Sequence, residues 1–354
     1  MATSPSNPTS ISPATLDRAV AQGVLTTQQA EMLHYLEGTG SGVPGTEPVD
    51  DEKFRFINGF GDIFVTIGIA LFLGALSYFA NQSLGGAGCG LVVAAASWLL
   101  AEYFARRRRM ALPSIVLLLV FAASIFIAAL LLASGLDDFS LSILTNENWP
   151  VVLAGLVTIA AAALHYRRFH IPITFAAGVA ALVASVLGLV FGAVPDLAEA
   201  FARPILLACG IGVFALAMRF DLSDPKRQTR RTDIAFWLHM LAAPLVVHPL
   251  ISGLIGTGGL TIAASVGVLA IFLGLAIVAV LVDRRAVLVS GLAYAGIAFS
   301  SLVTQIGFSQ GVVPLTMLVL GALVLSLSAG WHGLRHRLLT LLPAGLVRRL
   351  PSHT

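Results

Sequence analysis

From residue 60 onward the chain alternates long apolar runs with short polar turns, and the runs carry almost no polar stripe of the kind an amphipathic helix shows. Crossing a bilayer takes about 20 mostly apolar helical residues. Ten segments meet that need: 60–80, 84–105, 112–134, 149–165, 172–194, 204–219, 234–255, 260–282, 286–305 and 311–332. The fourth and sixth are short, and their helices are expected to reach into the interface. Gly and Pro lie inside several segments (Gly178, Gly188, Pro244, Pro249, Pro314), which membrane helices tolerate better than soluble ones. Buried helices of a large soluble protein would need polar outer faces, and these have none. The pattern predicts an all-α membrane protein of about ten transmembrane helices.

The turns carry the sidedness. With the N-terminus in the cytosol, alternation through ten spans puts 20 of the 21 Lys and Arg residues on the cytosolic side and leaves only Arg203 outside. The opposite turns hold Asp137, Asp138, Glu147, Asp196 and Glu199. Positively charged turns stay on the cytoplasmic side, so this asymmetry fixes an even number of crossings with both termini in the cytoplasm. The expected location is a bacterial inner membrane.

Residues 1–59 read differently. No apolar stretch follows a basic start, so no signal peptide is expected. Residues 1–12 are Ser/Pro/Thr-rich and expected to be disordered. Residues 13–38 predict a small cytosolic helical hairpin. Ser12 suits an N-cap with Pro13 at the first helical position, Gly23 a stop, Thr26 with Gln29 a capping box, and Gly38 a second stop. A hairpin this short cannot bury a core alone, so it is expected to meet the membrane body, a second copy in a homo-oligomer, or a cytosolic partner. Residues 39–55 read as a flexible linker, 56–333 as the ten-span domain and 334–354 as a basic cytosolic tail.

Composition narrows the classes. The chain has 354 residues, is 57% hydrophobic and only 11% charged, with a net charge of +3; its mean hydropathy is +0.90. A soluble domain carries about 25% charged residues. Nucleic-acid binding is not expected, because phosphate contacts need clustered cations and the hairpin has only Arg18. Cys89 and Cys209 both lie in apolar runs and suggest neither a disulfide framework nor a thiolate metal site.

Polar groups in hydrocarbon are costly, so each is a candidate for function. No Asp, Glu, Lys or Arg lies near the middle of a span, which weakens ion-coupled transport and leaves exchange or facilitated movement open. The densest feature is span seven, AFWLHMLAAPLVVHPLISGL (235–254). Pro244 and Pro249 each remove a backbone donor and are expected to kink or break it. His239 and His248 flank them, and a broken helix with two imidazoles is one way to line a solute cavity. The blander alternative has neutral His248 hydrogen-bonded to span nine, with Tyr294, Ser300, Ser301, Thr304 or Gln305 as partners. The candidate cavity set is His239, Pro244, His248, Pro249, Tyr294, Thr304 and Gln305. Asp62 and Glu102, at the cytosolic ends of spans one and two, form a second candidate polar cluster. They can pair with Arg55 or with Arg106 to Arg109 and fix the first hairpin, or hold a cation or proton.

Other polar positions have simple readings. His332 and His336, four apart, sit at a basic helix end that favours cations. His165 and His170 flank Arg167 and Arg168 and read as interfacial, beside Tyr166. The turns Arg108-Arg109-Met-Ala-Leu-Pro113 and Arg167-Arg168-Phe-His-Ile-Pro172 share a spelling, and Arg230-Arg231 and Arg284-Arg285 occupy the next two cytosolic turns. Either a two-helix module is duplicated, or every cytosolic turn simply needs cations and a helix-starting residue. Ala177 with Ala181 and Gly188 with Gly192 mark close helix packing. No HExxH, GxSxG or CxxC motif occurs; no enzyme, metal site or cofactor is expected.

The hairpin DRAVAQGVLTTQQAEMLHYLEG, the junction EKFRFINGFGDIFVTIG and the later FWLHMLAAPLVVHPL together resemble a family of uncharacterised bacterial multi-pass membrane proteins, over most of the chain. The ten spans and cytosolic termini are more loosely similar to drug/metabolite-type transporters, from which the N-terminal hairpin departs. The resemblance implies a membrane architecture and no particular reaction. The expectation is therefore a carrier or channel for a small solute, with a scaffold or sensor recruiting a partner through residues 13–38 as the alternative.

Overall fold

The computed structural model describes residues 13–38, 60–140, 148–224, 229–255, 260–308 and 310–341. The expected disordered tail, the linker, Ser12, residues 256–259 and most of the basic tail lie outside them. The regular structure of the described residues is helical, in two separate compact units, 1–51 and 52–354.

The smaller unit is a helical hairpin of α1 (Pro13–Ala21) and α2 (Thr27–Gly38). Gly23 takes a left-handed φ of 69° at the turn. Thr26 and Gln29 form the reciprocal capping box: the Thr26 amide donates to Gln29 Oε1 at 2.9 Å, and the Gln29 amide donates to Thr26 Oγ1 at 3.3 Å.

In the larger unit eight helices are long and apolar enough to cross a membrane. The first begins as α3 (Phe60–Ala101) and continues as a π-helical turn, Glu102–Arg107. It is not one rod. Gly85 has φ 70° and ψ −179°, outside the helical region and open only to glycine at low cost. The Cys89 thiol donates to the Ser77 carbonyl at 3.3 Å, whereas twelve residues of straight helix would separate them by about 18 Å. Ile69 and Leu73 likewise pack with Ala101. The chain therefore doubles back at Gly85, giving the first two spans. Their turn falls at the boundary between the predicted segments 60–80 and 84–105.

The remaining helices are α4 (Ala111–Ser134), α5 (Asn148–Phe169), α6 (Ile173–Ala193), a short α7 (Pro195–Ala200), α8 (Ala202–Leu222), α9 (Arg230–Ser252), α10 (Ile262–Val282), α11 (Ala286–Gln305) and α12 (Val312–Thr340). The short fourth and sixth segments do lengthen at their arginine-bearing ends, to Phe169 and Leu222. The last helix also outruns its segment and takes the start of the basic tail with it, because Leu334, Leu338 and Leu339 continue its apolar pattern.

Large apolar side chains face outward along the bundle, among them Phe64, Leu71, Leu99, Leu164, Leu273 and Leu325, each at least 60% exposed. Such a surface suits only a hydrocarbon solvent. Helix pairing in that solvent depends on close approach rather than on burying apolar area from water. A Cβ on Gly90 would meet the Ser124 carbonyl at 2.8 Å, one on Gly188 the Asn148 carbonyl at 2.9 Å, and one on Gly210 the Leu245 carbonyl carbon at 2.8 Å. These contacts zip α3 to α4, α6 to α5 and α8 to α9. Helix α9 is the hub: it packs on α6, α8, α10 and α11, and half of its span is buried. Helix α12 is peripheral, with 6% of its span buried.

The arginine-bearing turns meet at one end. Glu102 joins Arg168, and Asp221 joins Arg284. At the other end the Gly86 amide donates to the Asp137 carbonyl at 3.1 Å. The shared RR…P spelling does not encode a shared turn. The left-handed residue is Arg109, four before Pro113, in one, and His170, two before Pro172, in the other. That difference favours a common need for cations over module duplication.

Candidate functional site

Span seven does not break. Helix α9 runs unbroken from Arg230 to Ser252 with Pro244 and Pro249 inside it. Four neighbouring helices pack on it, and each proline forfeits one internal hydrogen bond without ending the helix. His239 and His248 are nine residues apart, so they lie about 13 Å apart along the axis and on opposite faces. They belong to two different sites.

His248 Nδ1 lies 2.7 Å from the Tyr294 hydroxyl of α11. Beside it opens a cleft of about 230 Å³ between three helices: Leu187 and Phe191 come from α6, Arg203 and Leu206 from α8, and His248, Pro249 and Ser252 from α9. The walls are apolar, and Arg203, His248 and Ser252 are the groups that can orient a solute. Pro244 is exposed elsewhere on α9. Thr304 and Gln305 have other work. The Thr304 hydroxyl donates to the Ser300 carbonyl at 2.9 Å, and Gln305 Nε2 donates to the Leu260 carbonyl at 2.9 Å and to Ser301 Oγ at 2.7 Å, tying the end of α11 to the start of α10.

His239 enters a buried ionic cluster at the arginine-bearing end. Asp221, the penultimate residue of α8, takes a bidentate ion pair from Arg284, with Nε 3.1 Å from Oδ2 and Nη2 on Oδ1. His239 Nε2 stands 2.8 Å from the same Oδ2. Asp221, Arg284 and His239 are 3%, 2% and 0% exposed, so the ion pair is shielded from water. A carboxylate only accepts, so His239 Nε2 is the donor of this bond; Nδ1 has no hydrogen-bond partner among the described residues. Phe214 packs edge-on to the imidazole at 5.2 Å. The next residues continue the knot. Asp283, left-handed at φ 59°, ends α10 and accepts from Trp331 Nε1 of α12 at 2.6 Å, while the Arg285 guanidinium lies 5.2 Å over the Trp331 ring. Asp283, Arg284 and Arg285 thus couple α8, α9 and α12 through one turn. In the sequence Arg284 and Arg285 read only as markers of sidedness, and Asp221 falls just past the sixth segment. The available signal was an acidic residue at the very end of an apolar segment on the cation-bearing side.

The other candidates separate. Glu102 accepts from Arg168 Nε at 2.6 Å and Nη2 at 3.1 Å, and from Arg106 at 3.2 Å, at a solvated surface. The Arg168 contact, 66 residues away, joins the second span to the fourth. Asp62 is buried in the first turn of α3, where helix amides favour an anion; Arg55 lies outside the described residues. His165 does not face the surface of the bundle. It is wholly buried, 3.3 Å from Thr174 Oγ1, with Phe121 stacked at 5.3 Å and Trp98 and Phe169 around it. The apolar helix faces that meet there, from four spans, are invisible in a linear reading. Among the described residues no three His, Cys, Asp or Glu side chains gather as a metal site.

No protein-family model matches the chain, and no curated protein matches it.

Proposed function

We propose that this chain is a carrier for a small solute in a bacterial inner membrane, with the arginine-bearing turns and both termini in the cytoplasm. The cleft beside His248 carries this reading. It is apolar-walled with three convergent polar groups, as ligand sites are, and at about 230 Å³ it falls below the roughly 300–1,000 Å³ of drug-sized pockets, so its solute is small. Its position on α9 supports the same reading, because the other end of that helix is clasped by the Asp221–Arg284–His239 cluster. An open cleft at one end and a latched end at the other fit what alternating access requires of one state. The span number resembles that of drug/metabolite-type transporters.

The test is ligand-induced thermal stabilisation of the purified protein across a panel of small metabolites, followed by uptake into proteoliposomes. His248→Ala and Arg203→Ala are expected to abolish the stabilisation and the uptake of the same compound. A panel with no stabilising compound, or hits that survive both substitutions, would sink the carrier reading.

A second reading, a scaffold recruiting a cytosolic partner, is favoured by Val24 and Met32, which lie 71% and 62% exposed on the small hairpin. Deleting residues 1–52 separates the two: a carrier keeps its flux, and a scaffold loses its crosslinked partner.

A further inference from the structure

The alternation of spans leaves Arg203, alone of 21 Lys and Arg residues, at the end of the bundle opposite the arginine-bearing turns. Insertion bias clears cations from one side of a membrane protein, so a cation retained there stands out. Its Nη1 reaches the far end of α9, 3.1 Å from where a Cβ on Gly253 would stand. Among the described residues it has no ion-pair or hydrogen-bond partner. It lies in the first turn of α8, where the helix dipole favours an anion. It also lines the cleft beside His248, and no acidic side chain is among the lining residues.

Resting on the carrier reading, we propose that this cleft takes a small aliphatic monocarboxylate, with the carboxylate on Arg203 and His248 and the chain against Leu187, Phe191 and Leu206. Each other class of solute leaves something unmet. A cation, or the ammonium of an amino acid, finds no counter-charge in the lining. A neutral solute leaves the guanidinium unanswered. Free phosphate would use the cation and leave the apolar walls wet, and a dicarboxylate would bring a second charge without a second cation. A guanidinium meets a carboxylate through two parallel hydrogen bonds, and His248 adds a third. Its Nδ1 is engaged by the Tyr294 hydroxyl at 2.7 Å, which leaves Nε2 for the solute. In a neutral imidazole Nε2 then donates to the carboxylate and Nδ1 accepts from Tyr294, so Tyr294 is a positioning residue that selects the tautomer. The Ser252 hydroxyl, held only by a 3.4 Å bond to the Pro249 carbonyl of its own helix, can turn to the ligand. A water-sized group takes about 30 Å³, so 230 Å³ holds roughly seven or eight non-hydrogen atoms, about the size of hexanoate.

The test is isothermal titration calorimetry of the purified full-length protein with hexanoate, hexanamide, hexan-1-ol and hexylamine, which share one chain. Hexanoate is expected to bind, and the other three to bind about tenfold more weakly or worse, the factor that a charge-assisted pair contributes. Arg203→Gln is expected to remove this preference, while Arg167→Gln, at the other end of the bundle, leaves it intact. Leu187→Trp, which fills the apolar part of the cleft and spares the charge, is expected to abolish hexanoate binding and serves if Arg203→Gln does not fold. Decanoate, too long for the cleft, is expected to bind no more tightly than hexanoate. Hexanamide or hexylamine binding as well as hexanoate, a preference that survives Arg203→Gln, or undiminished binding in Leu187→Trp overturns the proposal and leaves the carrier reading standing, because a carrier needs only a solute of some class. Tighter binding of decanoate overturns it too and assigns Arg203 to a fatty acid of the bilayer. If none of the four compounds binds, the monocarboxylate falls, whereas the carrier falls only if the metabolite panel is also empty.

Discussion

Replacing Asp221 by Asn keeps the side chain's shape and removes the charge that balances Arg284 in a site where neither residue is more than 3% exposed. Breaking one side of such a pair costs about 3–5 kcal/mol, because the surviving ion is stranded without water. For a bundle of this size each kcal/mol moves the melting temperature by roughly 2 °C, so the expected fall is about 6–10 °C. The assay is thermal unfolding in detergent at one fixed scan rate, since membrane proteins of this size unfold irreversibly. Arg284→Met should be comparably harmful. The double variant Asp221→Leu/Arg284→Met should be less harmful than either single change, as apolar replacement of a buried pair is close to neutral. Glu102→Gln provides the contrast: its pair with Arg168 is solvated, and such pairs contribute little. The reasoning is refuted if Asp221→Asn lowers the melting temperature by less than about 2 °C, or if the double variant is no less harmful than Arg284→Met alone.

Two further expectations follow from packing and topology. Gly155→Ala would set a Cβ 2.0 Å from Ser185 Oγ and 2.7 Å from the Ala181 carbonyl; it should destabilise by about 1–3 kcal/mol in the same melting assay, and adding Ser185→Ala should recover only part, because the carbonyl clash remains. In a chain lacking Cys89 and Cys209, single cysteines at Ser83 and Asp138 should react with an impermeant thiol reagent from one face of the membrane and those at Arg108 and Arg167 from the other; labelling of Ser83 and Arg108 from the same face would contradict the doubled-back α3.

The spans were legible because transfer into hydrocarbon is a local property of about 20 residues, and the N-terminal hairpin because caps and stops act within a turn. The Thr26–Gln29 box could be read directly. Span seven shows where local reading fails. Two prolines predict a break when a helix is considered alone, but α9 packs against four other helices and stays whole. The two histidines are alike in sequence, yet His239 is buried in an ionic cluster and His248 opens onto a cleft.

By itself, then, the sequence determined the solvent, the placing of the spans and the gathering of arginines at one end, all consequences of hydropathy and charge taken a few residues at a time. Tertiary structure decided which helices touch and hence what each polar side chain meets: Asp221 with Arg284, 63 residues on, Glu102 with Arg168, 66 on, and His248 with Tyr294, 46 on. The reason is physical. Helices apolar on every side carry no stripe that marks an inner face, and in lipid the choice of neighbour rests on glycine-sized gaps and a few long-range polar bonds. Those exist only once the bundle has formed.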